Sequence, residues 1–323
     1  MHQKLLLLAC SAIIYQHAFC WGFYAHKEIN HHAVFLLPPA MMVFYKPNID
    51  FITEHAVDPD KRRYMVTAEG PRHFIDLNRY GTYPFNDLPR TWYQAVEKYG
   101  EDSLMAHGIV PWWVNIMLQR LTKAFKEKNQ SAILKLSAEI GHYIADAHVP
   151  LHAHSNYNGQ QTGQQGIHGF WESRIPELLA QREFDYFIGK AQYLSNPQQF
   201  MWQRVLESAA AADTVLYVEK VLTQEFSSDL KYAFEERNGT IIRQYSSAFT
   251  IAYNRRLQGM VERRMRQSVF AVASFWYTAW ISAGQPELQP QADTGFSETD
   301  KKDFEALDRL WKTAESKGRT CGN

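Results

Sequence analysis

Residues 130–149, QSAILKLSAEIGHYIADAHV, decide the fold. Ile133, Leu136, Ile140 and Ile144 recur at the three- and four-residue intervals that line one face of a helix, and Pro150 ends the run because it cannot continue one. The same period extends outward. Pro111 suits the first turn of a preceding helix that carries Trp112, Ile116, Met117, Leu121 and Phe125. Residues 199–234, 242–283 and 297–316 read as long helices, and strand signals are sparse. The expected fold is all-α, a multi-helical single domain. Non-helical stretches fall at 38–88 and at 153–166, AHSNYNGQQTGQQG, and a Pro-containing connection from Gly284 to Thr294 sets off a charged terminal helix. The expected divisions are 1–20, 21–285 and 286–323, with no internal repeat.

A chain of 323 residues that is 46% hydrophobic can bury a large core. Its 34 basic residues balance 34 acidic ones, so there is no electrostatic reason to expect a surface that wraps polyanions. Arg255, Arg256, Arg263, Arg264 and Arg266 read as a solvated helix face, since Glu262 and apolar residues interleave with them. The apolar run Val269 to Ser282 is too short to cross a bilayer and reads as buried helix.

The opening MHQKLLLLACSAIIYQHAFC has a basic start, an apolar stretch and small residues near Cys20, as in a secretory signal peptide. The expected product is secreted or periplasmic and begins at Trp21. That cut removes Cys10 and Cys20 and leaves Cys321, so no intrachain disulfide can form. Two sequons, Asn129-Gln-Ser131 and Asn238-Gly-Thr240, matter only in a host that glycosylates.

All 13 histidines lie at or before His168. His142 and Asp146 are four apart on the expected helix, which puts both side chains on one face. His152 follows just past Pro150, and beyond the polar loop His168 and Glu172 repeat the spacing. A single His-x3-carboxylate pair arises easily by chance and then marks a core histidine or a surface pair. Two such pairs around a third histidine point to a divalent metal, zinc first. His148 and His154 have no partner in register and read as supporting or solvent-facing groups, and His31, His32 and His55 carry no spacing signal.

His142-x3-Asp146-x5-His152 followed by His168-x3-Glu172, with Trp21-Gly22-x3-His26 and His-Phe-Ile-Asp at 73–76, resembles the bacterial zinc-dependent phospholipase C and S1/P1 nuclease superfamily. The resemblance covers roughly residues 21–180 and implies an all-helical fold with three zinc ions in a cleft. It implies one zinc on Asp76, His107, His142 and Asp146, and a second on His152, His168 and Glu172. A third would take the amino group and carbonyl of Trp21 with His26, Asp146 bridging it to the first. Asp76 is then the group expected to orient or deprotonate the attacking water, and His73 a supporting group. The terminus makes chemical sense as a ligand, because an α-amino group loses its proton far more readily than lysine.

The resemblance implies a hydrolase of phosphoric diesters. Glu172 in the last ligand position looks like the phospholipase branch, as does the missing disulfide, whereas His-Phe-Ile-Asp is also nuclease-like. A phospholipase C-like enzyme on phospholipids is therefore favoured, with transient membrane-surface contact and no protein partner. An S1/P1-type nuclease acting on single-stranded nucleic acid is the alternative, and a non-catalytic zinc-binding protein the third reading. Tyr24, Tyr80, Trp112, Trp113, Phe170 and Trp171 can stack on a base or cage a choline, but most read as core.

Overall fold

Asn129 starts the central helix of the molecule: its side-chain oxygen accepts the backbone N–H of Ala132 at 3.1 Å, replacing a partner that the first helical turn lacks. In the computed structural model, which describes residues 22–237, 240–290, 295–313 and 317, this helix runs Gln130–Asp146 and is buried on nearly every side over its last turns. The leader 1–20, Trp21, Asn238 and Cys321 lie outside the described residues.

Four short helices, α1 (Phe23–Val34), α2 (Pro39–Tyr45), α3 (Ile49–Glu54) and α4 (Asp58–Arg62), lead through α5 (Trp92–Tyr99) and α6 (Glu101–His107) to α7 (Val110–Lys126) and the central α8 (Gln130–Asp146). A turn of helix, α9 (Ile167–Gly169), continues through a π-helical turn, Phe170–Arg174, into α10 (Ile175–Glu183). Then come α11 (Pro197–Glu225), a hairpin of β1 (Tyr232–Arg237) and β2 (Thr240–Tyr245), α12 (Ser247–Arg256), α13 (Met260–Ser282) and α14 (Glu298–Thr313). Helix α8 packs against α1, α3, α7 and α13. Trp276 of α13 closes this core by donating its indole N–H to the carbonyl of Ser137 at 3.0 Å. Among the described residues no helix is long and apolar enough to cross a membrane.

Among the described residues the fold is all-helical apart from one hairpin, which replaces the tail of the expected 199–234 helix. Helix α11 stops at Glu225, where Phe226 turns extended ahead of Ser227-Ser228-Asp229, residues whose side chains compete for backbone hydrogen bonds. The expected 242–283 helix is in fact two, because Gln258 and Gly259 take positive φ and break the ladder between α12 and α13. Asn-Gly between runs rich in aromatic and β-branched residues was the available signal for the hairpin.

The arginine run divides. Arg255, Arg256 and Arg263 are exposed, whereas Arg264 is buried and donates through Nε to the carbonyl of His148 at 2.7 Å and through Nη1 to Glu207 at 3.1 Å. It thereby ties α13 to the chain just beyond Asp146. Arg264→Ala leaves a buried carbonyl without a donor, and a loss of about 3 kcal/mol is expected in urea unfolding.

The terminal helix α14 docks on this core. Leu307 is buried, Trp311 meets Phe23 edge-on at 5.1 Å, and Lys135 pairs with Asp300 at 2.6 Å. The backbone N–H of Lys317 donates to the carbonyl of Arg63 at 2.9 Å.

Candidate metal centre

Gly141 sits one residue before His142 because Asn30 of α1 needs the space: a Cβ there would lie 2.0 Å from Asn30 Oδ1. The Asn30 amide donates to the carbonyls of Ala138 at 3.0 Å and Ile52 at 3.2 Å, drawing α1 and α3 against α8. The close approach stacks the His26 ring on that of His142, 3.7 Å between centroids.

Three groups of metal-ligating side chains result: His26 with His142 and Asp146, Asp60 with His73 and His142, and His152 with His168 and Glu172. No member is more than 6% exposed. Around His142 Nε2 stand His73 Nδ1 at 3.1 Å, Asp146 Oδ2 at 3.3 Å and Asp60 Oδ1 at 3.7 Å, and His73 Nδ1 is 2.9 Å from Asp146 Oδ2. The other Asp146 oxygen, Oδ1, faces His26 Nε2 at 3.5 Å. In the third group His168 Nε2 lies 2.9 Å from His152 Nε2 and 3.0 Å from Glu172 Oε2. Atoms bound to one tetrahedral zinc at about 2.0–2.2 Å stand roughly 3.3 Å from each other, so these separations fit that ion. Both oxygens of Asp60 and Oδ1 of Asp146 are buried and accept no hydrogen bond among the described residues, as expected of atoms kept for a cation.

The outward ring nitrogens are held from behind. His142 Nδ1 faces the carbonyl of Ala56 at 2.8 Å, and His152 Nδ1 that of His73 at 2.6 Å, arrangements that fix which nitrogen turns to the metal. Burial, reinforced by the neighbouring His142, pulls the His26 imidazole well below its ordinary pKa and leaves it neutral, ready to bind. Burial also pulls on His142, but the carboxylates of Asp146 and Asp60 outweigh it and push this imidazole up to about 9. A metal ion must displace that proton. Burial opposes ionisation of Asp146 too, yet His142 and His152 hold its carboxyl well below the usual range.

Of the residues expected from sequence, the structure brings together His26, His142, Asp146, His152, His168 and Glu172. Trp21 lies outside the described residues, but Gly22 beside it donates to the carbonyl of Glu172 at 3.3 Å. Asp76 and His107 join none of the three groups, and Asp60 and His73 stand at the position expected for them. The backbone is extended at Phe74, between His73 and Asp76, and Asp76 leads into the turn Leu77–Arg79. Asp76 meets His107 through the backbone, its N–H donating to the His107 carbonyl at 2.7 Å. Asp60, in Asp58-Pro59-Asp60 at the start of α4, carried no spacing signal. His148 is fully buried, its Nδ1 2.7 Å from the carbonyl of Ile144, while Trp112, Trp113, Phe170, Trp171 and Tyr80 belong to the core.

The sequence model of a family described as zinc dependent phospholipase C matches residues 25–236, well over half of the chain. This chain belongs to the zinc-dependent phospholipase C family. No curated protein matches it.

Zinc removal gives a direct check. Each site filled to 100 times its Kd adds about 2.7 kcal/mol to folding. Chelation is expected to lower the Tm by roughly 5–10 °C, and zinc, unlike magnesium, should restore it in calorimetry.

Proposed function

We propose that this chain is an exported phospholipase C-like phosphodiesterase, cleaving phospholipids at a centre of three zinc ions. The observation that carries the reading is the group of Asp60, His73 and His142, with Asp146 Oδ2 2.9 Å from His73 Nδ1 and 3.3 Å from His142 Nε2 as a further donor, beside a separate group of only three, His152, His168 and Glu172. Purely structural zinc is usually closed by four protein ligands, so a three-ligand group leaves room for water or substrate and argues against a binding-only protein. Zinc bound here would polarise phosphoryl oxygens and bring the pKa of water down to about 7.

The protein groups have separable tasks. Asp146 offers one oxygen to His73 and His142 and the other to His26, so a single carboxylate would join the two groups. Asp60 turns Oδ1 toward His142 and His73 and keeps Oδ2 without a hydrogen bond, which makes it the group to accept the proton of the attacking water. The role expected of Asp76 passes to Asp60 on this geometry. Burial of the whole set excludes bulk water and strengthens its electrostatics.

Export fits the same chemistry. His26 and one oxygen of Asp146 form half a site, and a terminus at Trp21 would complete it with an amino group and a carbonyl. The anchoring of Gly22 beside Glu172 supports this, since a Cβ at Gly22 would lie 2.7 Å from Ser173 Oγ. A methionine placed before Trp21 is expected to lower zinc content and activity together, and full activity with that extension would remove the terminus from the site.

Mature protein beginning at Trp21 should be assayed for zinc stoichiometry and for hydrolysis of phosphatidylcholine, single-stranded DNA and RNA. Release of phosphocholine with little nucleic-acid cleavage is the expected result. Rapid cleavage of nucleic acid alone would make it a nuclease, and full zinc loading without any diester cleavage a binding protein.

A further inference from the structure

The hairpin β1–β2 is anchored on both sides of Glu172. Two residues before it, Phe170 stacks on Tyr245 at 3.8 Å. Two residues after it, Arg174 donates through Nη2 to Glu235 at 2.6 Å and through Nε to the carbonyl of Tyr245 at 3.2 Å. The base is held again by Lys231, which bonds Glu219 and Thr223, each at 2.8 Å. Beyond this base the hairpin turns apolar side chains outward. Phe234 is 75% exposed and Ile241 72%, with Leu230 exposed just before the first strand. The register pairs Phe234 with Arg243 and Glu236 with Ile241, so all four share one face, and the exposed Arg243 lies over the Tyr232 ring at 3.7 Å.

We propose that this hairpin seats the enzyme on a phospholipid bilayer, Phe234 and Ile241 entering the boundary between headgroups and acyl chains and Arg243 meeting lipid phosphate. The inference rests on the phospholipase reading. Three separate apolar side chains among charges of both signs make a poor protein interface, which needs about 800 Å² of complementary surface per partner. They suit a zwitterionic lipid surface, which accepts shallow insertion of single side chains flanked by an aromatic and a guanidinium. The double anchorage on the Phe170–Arg174 turn fixes the hairpin relative to Glu172, so membrane contact there holds the metal centre at the headgroup layer.

The test compares the zinc-loaded mature chain with its Phe234→Ser/Ile241→Ser variant. Both substitutions are at exposed positions, and calorimetry should give equal Tm values. Two rates are measured, on a short-chain phosphatidylcholine below its critical micelle concentration and on phosphatidylcholine vesicles. Sedimentation with vesicles of a non-hydrolysable phosphonate analogue reads binding alone. The expected result is an unchanged rate on the dispersed lipid, with vesicle binding and vesicle hydrolysis lowered roughly tenfold or more, from two side chains no longer leaving water. Vesicle binding and hydrolysis equal to wild type would overturn the proposal, as would an equal loss on both substrates. If the wild type cleaves neither lipid form the phospholipase reading falls, and sedimentation still decides whether the hairpin binds a bilayer.

Discussion

Asp146→Asn is expected to slow hydrolysis roughly 10³-fold while leaving the protein folded. Asparagine keeps the shape but loses the charge that His73 Nδ1 faces at 2.9 Å and His142 Nε2 at 3.3 Å from one side and His26 Nε2 faces at 3.5 Å from the other. Two ligand groups lose an anionic donor at once, so zinc measured by elemental analysis should fall to what His152, His168 and Glu172 would hold by themselves. If the lost electrostatic stabilisation is worth about 4 kcal/mol, hydrolysis slows roughly 10³-fold. Zinc content equal to wild type would show that Asp146 bridges nothing.

The second large effect is expected at Glu69, which lies outside the three ligand groups. This fully buried carboxylate accepts from Tyr143 Oη and from Arg72 Nη1 at 2.6 Å, with Arg62 at 3.5 Å. Its Oε1 lies 3.6 Å from His73 Nε2, the nitrogen turned away from Asp146. A carboxylate behind a ligating imidazole orients the ring and raises its basicity, so Glu69→Gln should weaken zinc binding about 10- to 100-fold, measured by chelator competition. It also removes the charge between two arginines, at an expected stability cost of about 3 kcal/mol. Burial raises the Glu69 carboxyl, but His73, Arg62 and Arg72 outweigh it and hold it below the usual carboxylate range. A depressed pKa stabilises the fold only where the group is ionised. The stability gap between wild type and Glu69→Gln should therefore be full near neutrality and shrink as the pH falls below about 4. A gap independent of pH would mean that the charge of Glu69 is not what matters.

Helices and half of the centre were legible because both depend on local spacing. The run Ile133, Leu136, Ile140 and Ile144 fixes one face of α8, and His142 and Asp146 then fall together at one end of it whatever surrounds them. His168 and Glu172 follow the same rule across a π-helical turn. The hairpin was missed because a short aromatic and β-branched run beside a long helix is ambiguous until its partner strand is known. Arg264 reads as solvated in the sequence because nothing in the arginine run distinguishes the side chain that turns toward His148 and α11.

The amino-acid sequence by itself pointed to an all-helical chain, a candidate metal centre on His142, Asp146, His152, His168 and Glu172, and the family resemblance that these residues carry. Only the tertiary structure decided the remaining contributors. Asp60 and His73 reach His142 because the chain folds α4 and the turn Thr67–His73 onto α8, and Asp76 joins none of the three groups. Spacing reports neighbours along one helix, whereas a metal site closes with side chains from segments far apart in sequence, whose meeting is set by packing.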